Sequence, residues 1–553
     1  MRTIRLLPLA WLGAALLASQ PASAQALNYQ QPSAAMRAVL DAAPLPQHSL
    51  SPDQRLLASI TPRRHRPVAE LAQPMARLAG LRLNVAASGP ALINPVEALS
   101  LRPVAGGAET PIALPNDGKG GGFYGLRWSP DGRRILLSRR TESGTELWVA
   151  ETAKPVLRQL KGLKLNQVLD NDPAWLNADE LVLLAVPDQR GPAPEFKAPD
   201  GPALQESMGK VSPEYTLQNL LKNPQDEALF SYLATSQPRR VNLKTGSHQA
   251  VGAAGLYGRL ETVGDGKALL AERLVAPFSY QVRWGDFATQ VELLDPRSGK
   301  LLRDLGRIKL KEGVPVQGVV TGPRQFWGSP LADAAIYWVE ALDGGDPATK
   351  VPHRDRLMRL DPPYAGEPRE VHKTVHRLAS LAFTELAQRA LVVDYDRDRV
   401  WITADFVALD GSAAPQRWNE RSLRDRYRDP GQPLTRTLAG NGRSLMRVEQ
   451  GALLLAGAGA SPQGDRPFLD RYELATGKSS RLFQASDTHY ETALALLADG
   501  RLLTRRETFD SPPNLMLRSG DGFAQLQALT TVPDPTPMLR GIQRERVQFE
   551  RGD

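Results

Sequence analysis

The 553-residue chain contains no cysteine. This excludes disulfides, thiol nucleophiles and Cys-ligated metals, and it suits a bacterial periplasm, where a fold need not rely on them. Also absent is any G-x-S-x-G elbow: the nearest approach, "GAGASPQG" (457–464), fails the pattern, so no serine nucleophile can be recognised. No Ser/Gly linker, low-complexity tract or long charge block divides the chain, which favours one large domain built of repeated units. Charge of one sign is not segregated either. The 68 basic and 60 acidic side chains are interleaved, as in "RWNERSLRDRYRDP" (417–430), where a nucleic-acid surface would be lopsided. Those residues read as a solvated face, and no nucleic-acid partner is expected.

Long apolar runs are missing except at the start. "MRTIRLLPLAWLGAALLASQPASAQ" has Arg2 and Arg5 ahead of an apolar run from Leu6 to Ala18, then the A-x-A site Ala22-Ser23-Ala24. The run is shorter than the roughly 20 residues a bilayer requires, so a signal peptide cleaved after Ala24 is expected, with a secreted or periplasmic product and no membrane association after cleavage. Loss of Arg2 and Arg5 takes the formal charge from +8 to +6.

What is present is strand and turn. "RILLS" (134–138), "ELVLLAV" (180–186), "AIYWVEAL" (335–342) and "RALVVDYD" (389–396) are short runs rich in Val, Leu, Ile and aromatics, bounded by turn residues. Two turn types recur. "SPDQR" (51–55) and "SPDGRR" (129–134) match, and "GDGKALL" (264–270), "GNGRSLM" (440–446) and "ADGRLLT" (498–504) repeat an Asp/Asn-Gly-basic-apolar hairpin signal. A Thr/Ser-Gly turn closes "NLKTGSHQ", "LDPRSGKLL" and "ELATGKSSRL". Two alternating hairpin types point to an all-β propeller of about seven or eight four-stranded blades, of which seven is favoured. Helix-favouring stretches at 32–44 and 68–80, the second limited by Pro74, predict a short helical N-terminal extension.

Several motifs are decoys. In "GKGGG" (118–122) the Lys precedes the glycines, so it is no phosphate loop. His372 and His376 are spaced i,i+4 without H-E-x-x-H, and no metal or cofactor is expected. Ser207–Lys210 matches S-x-x-K and Lys244–Gly246 matches K-T-G, but S-D-N is missing and the second falls in a turn.

The segments "LSPDQRLLASI", "AGLRLNVAASGP", "GLRWSPDGRRILLS", "LDNDPAWLNADEL", "LQNLLKNPQDEALFSYLATSQ", "YWVEALDGGDPATKVPHRDRL", "GAGASPQGDRPFLDRYEL" and "TTVPDPTPMLRGIQRE" follow one another along nearly the whole mature chain. Together they resemble the propeller half of the glutamyl endopeptidase branch of the prolyl oligopeptidase family of serine peptidases. The resemblance implies an N-terminal β-propeller that caps a C-terminal α/β-hydrolase domain holding a Ser-Asp-His triad. "ERGD" (550–553) then stands where the hydrolase would begin, with Val547 and Phe549 alternating as in an opening strand. The implied layout is signal peptide 1–24, N-terminal extension with a first strand 25–80, propeller 81–545 and the start of the hydrolase 546–553.

On this reading no catalytic residue is assigned, since acyl transfer needs a nucleophile, an imidazole base, an orienting carboxylate and oxyanion donors. The chain alone is expected to be inactive, and its partners would be a peptide substrate and a hydrolase domain, missing or carried on a separate chain. A glutamate side chain calls for a cation, and His353, Arg354 and Arg356 in "VPHRDRL" are the candidates; salt bridges within the blade are the competing reading. In "LVAPFSYQV" (274–282), Ala276 stands where the family resemblance implies an arginine. The alternative to a gating propeller is a stand-alone periplasmic binding module.

Overall fold

The computed structural model describes residues 31–116, 121–169, 172–195 and 216–543, together with 545, 547 and 549–552. The segment 1–24 read as a signal peptide, most of the glycine run at 118–122 and the S-x-x-K match at 207–210 lie outside the described residues. The chain divides into two compact units, Met1–Ala43 with Pro535–Asp553 and Pro44–Asp534.

In the smaller unit Ala34–Leu40 is helical, capped where Met36 N–H donates to the Ser33 hydroxyl at 3.3 Å. Val547 and Phe549 are exposed and lie in no strand.

The larger unit is built from antiparallel sheets in sequence order. Sheet 1 comprises Gln47–Leu50, Leu56–Pro62, Val96–Pro103 and Thr110–Pro111, and sheet 2 Gly122–Trp128, Arg134–Thr141, Gly144–Glu151 and Lys154–Gln159. These two meet at one residue pair, Val96 with Phe123. Sheets 3 to 6 start at Ala174–Trp175, Tyr257–Val263, Pro323–Gly328 and Arg377–Phe383, and each is a four-stranded meander. In sheet 7 the first strand is broken into Gln432–Pro433 and Val448–Glu449, which both pair with Ala452–Gly457. Sheet 8 comprises Tyr490–Leu496, Leu502–Glu507, Asn514–Ser519 and Gln525–Ala528. Turn spacing alone favours seven such sheets. The hairpin at 47–62, grouped by sequence with the N-terminal extension, pairs with Val96–Pro103 across the insertion at 63–95, and sheets 1 and 2 count separately only where the eight-stranded sheet they form is divided at Val96 and Phe123.

Packing follows the same order. A separate apolar cluster joins each sheet to the next, for example Leu147 and Val149 of sheet 2 against Leu181 and Val241 of sheet 3. The eighth cluster puts Leu57 of sheet 1 against Leu503, Leu515 and Leu517 of sheet 8, so the succession of contacts is cyclic. Second strands are therefore covered on both faces. Arg134–Thr141 is buried at seven of its eight positions and Glu180–Ala185 at five of six, which is why their apolar residues, Ile135–Leu137 and Leu181–Ala185, run consecutively rather than alternating. Fourth strands such as the short Gln525–Ala528 are outer edges, exposed along their length.

The recurring turns have a physical basis. In "SPDGRR" the Ser129 hydroxyl donates to Asp131 at 2.6 Å and accepts from Arg134 N–H at 2.9 Å, and "SPDQR" repeats this with Ser51, Asp53 and Leu56. Gly132 sits at φ +72°, and a Cβ there would come within 2.6 Å of Asp53 Oδ1. The Asp/Asn-Gly turns at 264 and 498 join first to second strands, and the Thr/Ser-Gly turns join third to fourth. "GNGRSLM" departs from this: it is the tip of an extra hairpin, Thr435–Thr437 with Ser444–Met446, inserted in the broken strand of sheet 7.

The helical stretch predicted at 68–80 is helical only over Val68–Leu71; past Pro74 the chain turns into the strand Ala76–Leu78. The helix Pro224–Ala234, with Asn223 as N-cap and proline in its first turn, packs Phe230 and Leu233 against this insertion and against Phe287. No helix among the described residues is long and apolar enough to cross a membrane.

Candidate functional site

His353, Arg354 and Arg356 lie in and after the loop that joins the second and third strands of sheet 5, Ile336–Ala341 and Asp355–Leu360. Register explains Arg356. It stands directly opposite Glu340 on the neighbouring strand and donates to that carboxylate from Nε (3.0 Å) and Nη2 (2.6 Å). Arg354 turns inward, where Nη1 meets Asp343 at 2.8 Å. His353 remains half-buried beside them.

Arg354 belongs to a larger ionic cluster at the junction of sheets 5 and 6. Asp355 has no exposed side-chain surface and binds Arg324 (2.5 Å) and Arg377 (3.0 Å), and it accepts the Leu378 N–H at 2.8 Å. Asp343, equally buried, binds Arg354 and also Arg377 at 2.6 Å, and it accepts the Gly345 N–H. Arg324 and Arg377 come from the starts of the first strands of sheets 5 and 6, so the cluster ties two neighbouring sheets through charge. Three guanidiniums face two carboxylates, leaving one positive charge in excess. The Nε–H groups of Arg324 and Arg377 are buried and have no hydrogen-bond partner, a costly condition unless it serves a purpose. Next to Arg324, Gln325 is held at φ +52°, a conformation that costs an ordinary residue roughly 1–3 kcal/mol, and its side chain accepts from Arg324 Nη1 at 2.7 Å.

The net positive charge of this arrangement favours an anion nearby. Sequence reasoning found Arg354 because it clusters with His353 and Arg356. It missed Arg324 and Arg377, each a lone arginine at the head of a strand, because only the pairing of sheets brings them together.

Burial pushes the Asp343 carboxyl up, but the hydrogen bonds from Arg377 and Arg354 outweigh it and leave the group below its ordinary range. Glu491 in sheet 8 follows the same logic: burial raises it, and Arg518, at 2.6 and 2.7 Å, with the Thr504 hydroxyl brings it down. For a carboxyl whose folded pKa lies below its unfolded one, the stabilisation is complete above the unfolded value, about 4, and is lost as pH falls through the folded value. These groups should therefore leave the thermal midpoint flat from neutral pH down to about 5 and lower it on further acidification, and Glu491→Gln should shrink that acid-induced drop. Calorimetric scans from pH 7 to 3 check both statements.

Other side chains with catalytic potential are not assembled. His48 Nδ1 meets the Ser59 hydroxyl at 3.1 Å across sheet 1, yet its buried Nε2 has no partner, so no carboxylate orients the ring as a triad requires. His372 lies on the strand Arg369–Thr374, not on a helix, so its spacing from His376 does not bring two imidazoles to one ion. Lys244 of the K-T-G match is in the turn after Gln237–Asn242 and pairs with Asp179 at 2.6 Å.

No family model matches the chain. Among curated proteins it is similar to a probable chloroplastic glutamyl endopeptidase of Oryza sativa subsp. japonica, 29% identical over 573 residues, which cover 96% of this chain and 60% of that protein. The counterpart in Arabidopsis thaliana is 28% identical over 568 residues, 95% of this chain and 58% of that one. The chain thus spans about 60% of the length of the curated relatives it matches. Among solved structures, the β-propeller domain of the Trilobed protease from Pyrococcus furiosus aligns at 10% identity over 75% of this chain and 99% of that one, with TM-score 0.36. The acylaminoacyl peptidase of Pyrococcus horikoshii aligns at 12% identity over 90% and 54%, with TM-score 0.40.

A chain of repeated antiparallel sheets is thus similar along nearly its whole length to proteins named as probable glutamyl endopeptidases.

Proposed function

We propose that the eight sheets form a closed eight-bladed β-propeller, and that this propeller is the non-catalytic, substrate-gating part of an exported glutamyl endopeptidase-like serine peptidase. One observation carries the proposal: similarity to glutamyl endopeptidases runs along almost the entire chain, and that chain has no G-x-S-x-G elbow. The cyclic order of the inter-sheet clusters supports the ring. The N-terminal charged, apolar and A-x-A segments support export.

Proteolysis of peptides would require an α/β-hydrolase domain, joined to this chain or docked on it. The ring would screen what reaches that domain, and the excess positive charge at Arg324, Arg354 and Arg377 would favour a peptide bearing a carboxylate side chain. In this role His353 and Arg356 flank the cluster, with Arg356 already engaged by Glu340.

The test is an assay on a chromogenic peptide with glutamate before the scissile bond, with the mass of the native periplasmic species measured in parallel. The 553-residue chain purified alone should give no hydrolysis and no serine-reactive label. A larger native species, or a co-purifying second chain, should label and cleave after glutamate. Hydrolysis by the isolated chain would overturn the gating role, and a native species of this mass that binds peptides without any partner would favour a stand-alone binding module.

A further inference from the structure

The hairpin that interrupts sheet 7 does not stay with its own sheet. Its stem, Thr435–Thr437 with Ser444–Met446, lies along sheets 5 and 6. Leu438 and Leu445 pack into the apolar cluster between those sheets, the Glu385 N–H donates to the Met446 carbonyl at 3.0 Å, and Arg436 pairs with Glu385 at 3.1 Å. Its tip goes further. Asn441, 2% exposed, donates from Nδ2 to the carbonyls of Gly264 in sheet 4 and Pro330 in sheet 5, both at 2.8 Å. Arg443 reaches the Thr262 carbonyl at 3.2 Å and the Glu261 carboxylate at 3.2 Å, both in the first strand of sheet 4. At Gly442, φ +69°, a Cβ would be 3.0 Å from the Trp175 ring of sheet 3 and 3.4 Å from Pro130 in the first turn of sheet 2.

One six-residue tip anchored in sheet 7 therefore touches sheets 2, 3, 4 and 5. In a ring of eight, sheet 3 stands opposite sheet 7, so the tip crosses the axis. The contacts also fix the height. Pro130, Gly264 and Pro330 all lie in turns that join a first strand to a second. First strands start, and fourth strands finish, at the opposite end of the ring, so both ends of the unit, near Pro44 and Asp534, emerge there. Arg324 and Arg377, at the starts of first strands, lie toward that end as well.

We propose that the hairpin Thr435–Met446 is a plug that closes the central channel at the turn end, making it a blind well: a peptide can enter only from the end where the chain enters and leaves the ring. This rests on the propeller reading above, and it adds a direction to the proposed gate. The open end faces any hydrolase domain joined there, so substrate must come in past that junction rather than thread through the ring. Glycine at 442 fits the role, since a side chain would collide with Trp175, and the two amide bonds of Asn441 fix the tip to backbone rather than to mobile side chains.

The absence of cysteine makes the test clean. In Pro130→Cys the chain carries a single thiol beneath the tip, at a position of a type I-like turn that accepts most residues. Maleimide labelling should be slow in this protein and about tenfold or more faster when residues 438–443 are replaced by Asn-Gly, a two-residue turn that retains the stem. Equal rates in the two proteins, whether both fast or both slow, would overturn the plug. Should the shortened variant fail to fold, Gly440→Cys with Asp265→Cys supplies a second measurement. A Cβ at 440 would lie 3.4 Å from Asp265 Oδ1, so mild oxidation should join tip to sheet 4, and failure to form that disulfide would overturn the proposal. Hydrogen exchange of the unaltered chain separates this from the ring itself: slow exchange throughout sheets 1 and 8 leaves the ring standing whatever the tip does, and fast exchange there overturns the ring.

Discussion

Asp355→Asn is expected to lower the unfolding free energy by about 3–5 kcal/mol, the range for removing one partner of a buried ion pair. The substitution hardly changes shape, so cavity formation contributes little; what changes is charge. Asp355 has no exposed side-chain surface and stands between Arg324 and Arg377, whose side chains are 7% and 17% exposed. With Asp355 neutral, three guanidiniums, that of Arg324 buried and those of Arg354 and Arg377 partly so, would share the single carboxylate of Asp343, and desolvation of the unmatched charge would go uncompensated. The Leu378 N–H would keep an acceptor in the amide oxygen, so that bond is not the source of the loss. Adding Arg324→Met should recover a large part of the stability, because it removes the cation left without a partner. Urea midpoints of the two single variants and the double variant measure this coupling. A loss below about 1 kcal/mol for Asp355→Asn would mean that solvent reaches the cluster and screens it like a surface pair.

That cluster also marks where sequence reasoning stops. The strands "RILLS", "ELVLLAV", "AIYWVEAL" and "RALVVDYD" were legible because strands covered on both faces read as continuous apolar runs, and the paired turn types were legible because Asp-Gly and Thr/Ser-Gly chemistry is local. Sheet 1 was not, since its second and third strands are separated by the insertion at 63–95 and nothing local says that Leu57 faces Arg102. "GNGRSLM" shows the opposite failure. Its turn signal is genuine, but the signal does not say which hairpin it closes, and here it closes the one that leaves its own sheet. For the site, Arg354 could be noticed as one of several nearby cations, whereas its pairing with Asp343 and the convergence of Arg324 and Arg377 depend on sheet-to-sheet packing. The pairing of Arg356 with Glu340 follows from register alone, and register requires knowing where the strand begins.

The second large effect is expected at the seam between sheets 8 and 1. All strands of sheet 1 come from the front of the chain and all strands of sheet 8 from its end, so no strand is shared and no backbone ladder crosses the join. The seam is held by the packing of Leu57, Leu503, Leu515 and Leu517, each 3% exposed or less, and by Gln54. Gln54 occupies the position that glycine fills in the matching turn of sheet 2. It sits at φ +62° where Gly132 sits at +72°, and its amide accepts the Ala498 N–H at 2.9 Å across the seam. Strain at Gln54 is thus offset by a bond that glycine could not make. Leu503→Ala should cost about 2–5 kcal/mol through lost burial and the cavity left behind, as would Leu270→Ala between sheets 4 and 5. The two should differ in where the protein opens. At an ordinary junction the chain runs directly from one sheet into the next, so separation is limited; at the seam the chain joins the two sheets only by way of all the sheets between them, and they can part while the other junctions remain packed. Hydrogen exchange in Leu503→Ala should accelerate first in sheets 1 and 8, and in Leu270→Ala more evenly. The same pattern in both variants would mean that the seam is no weaker than the other junctions.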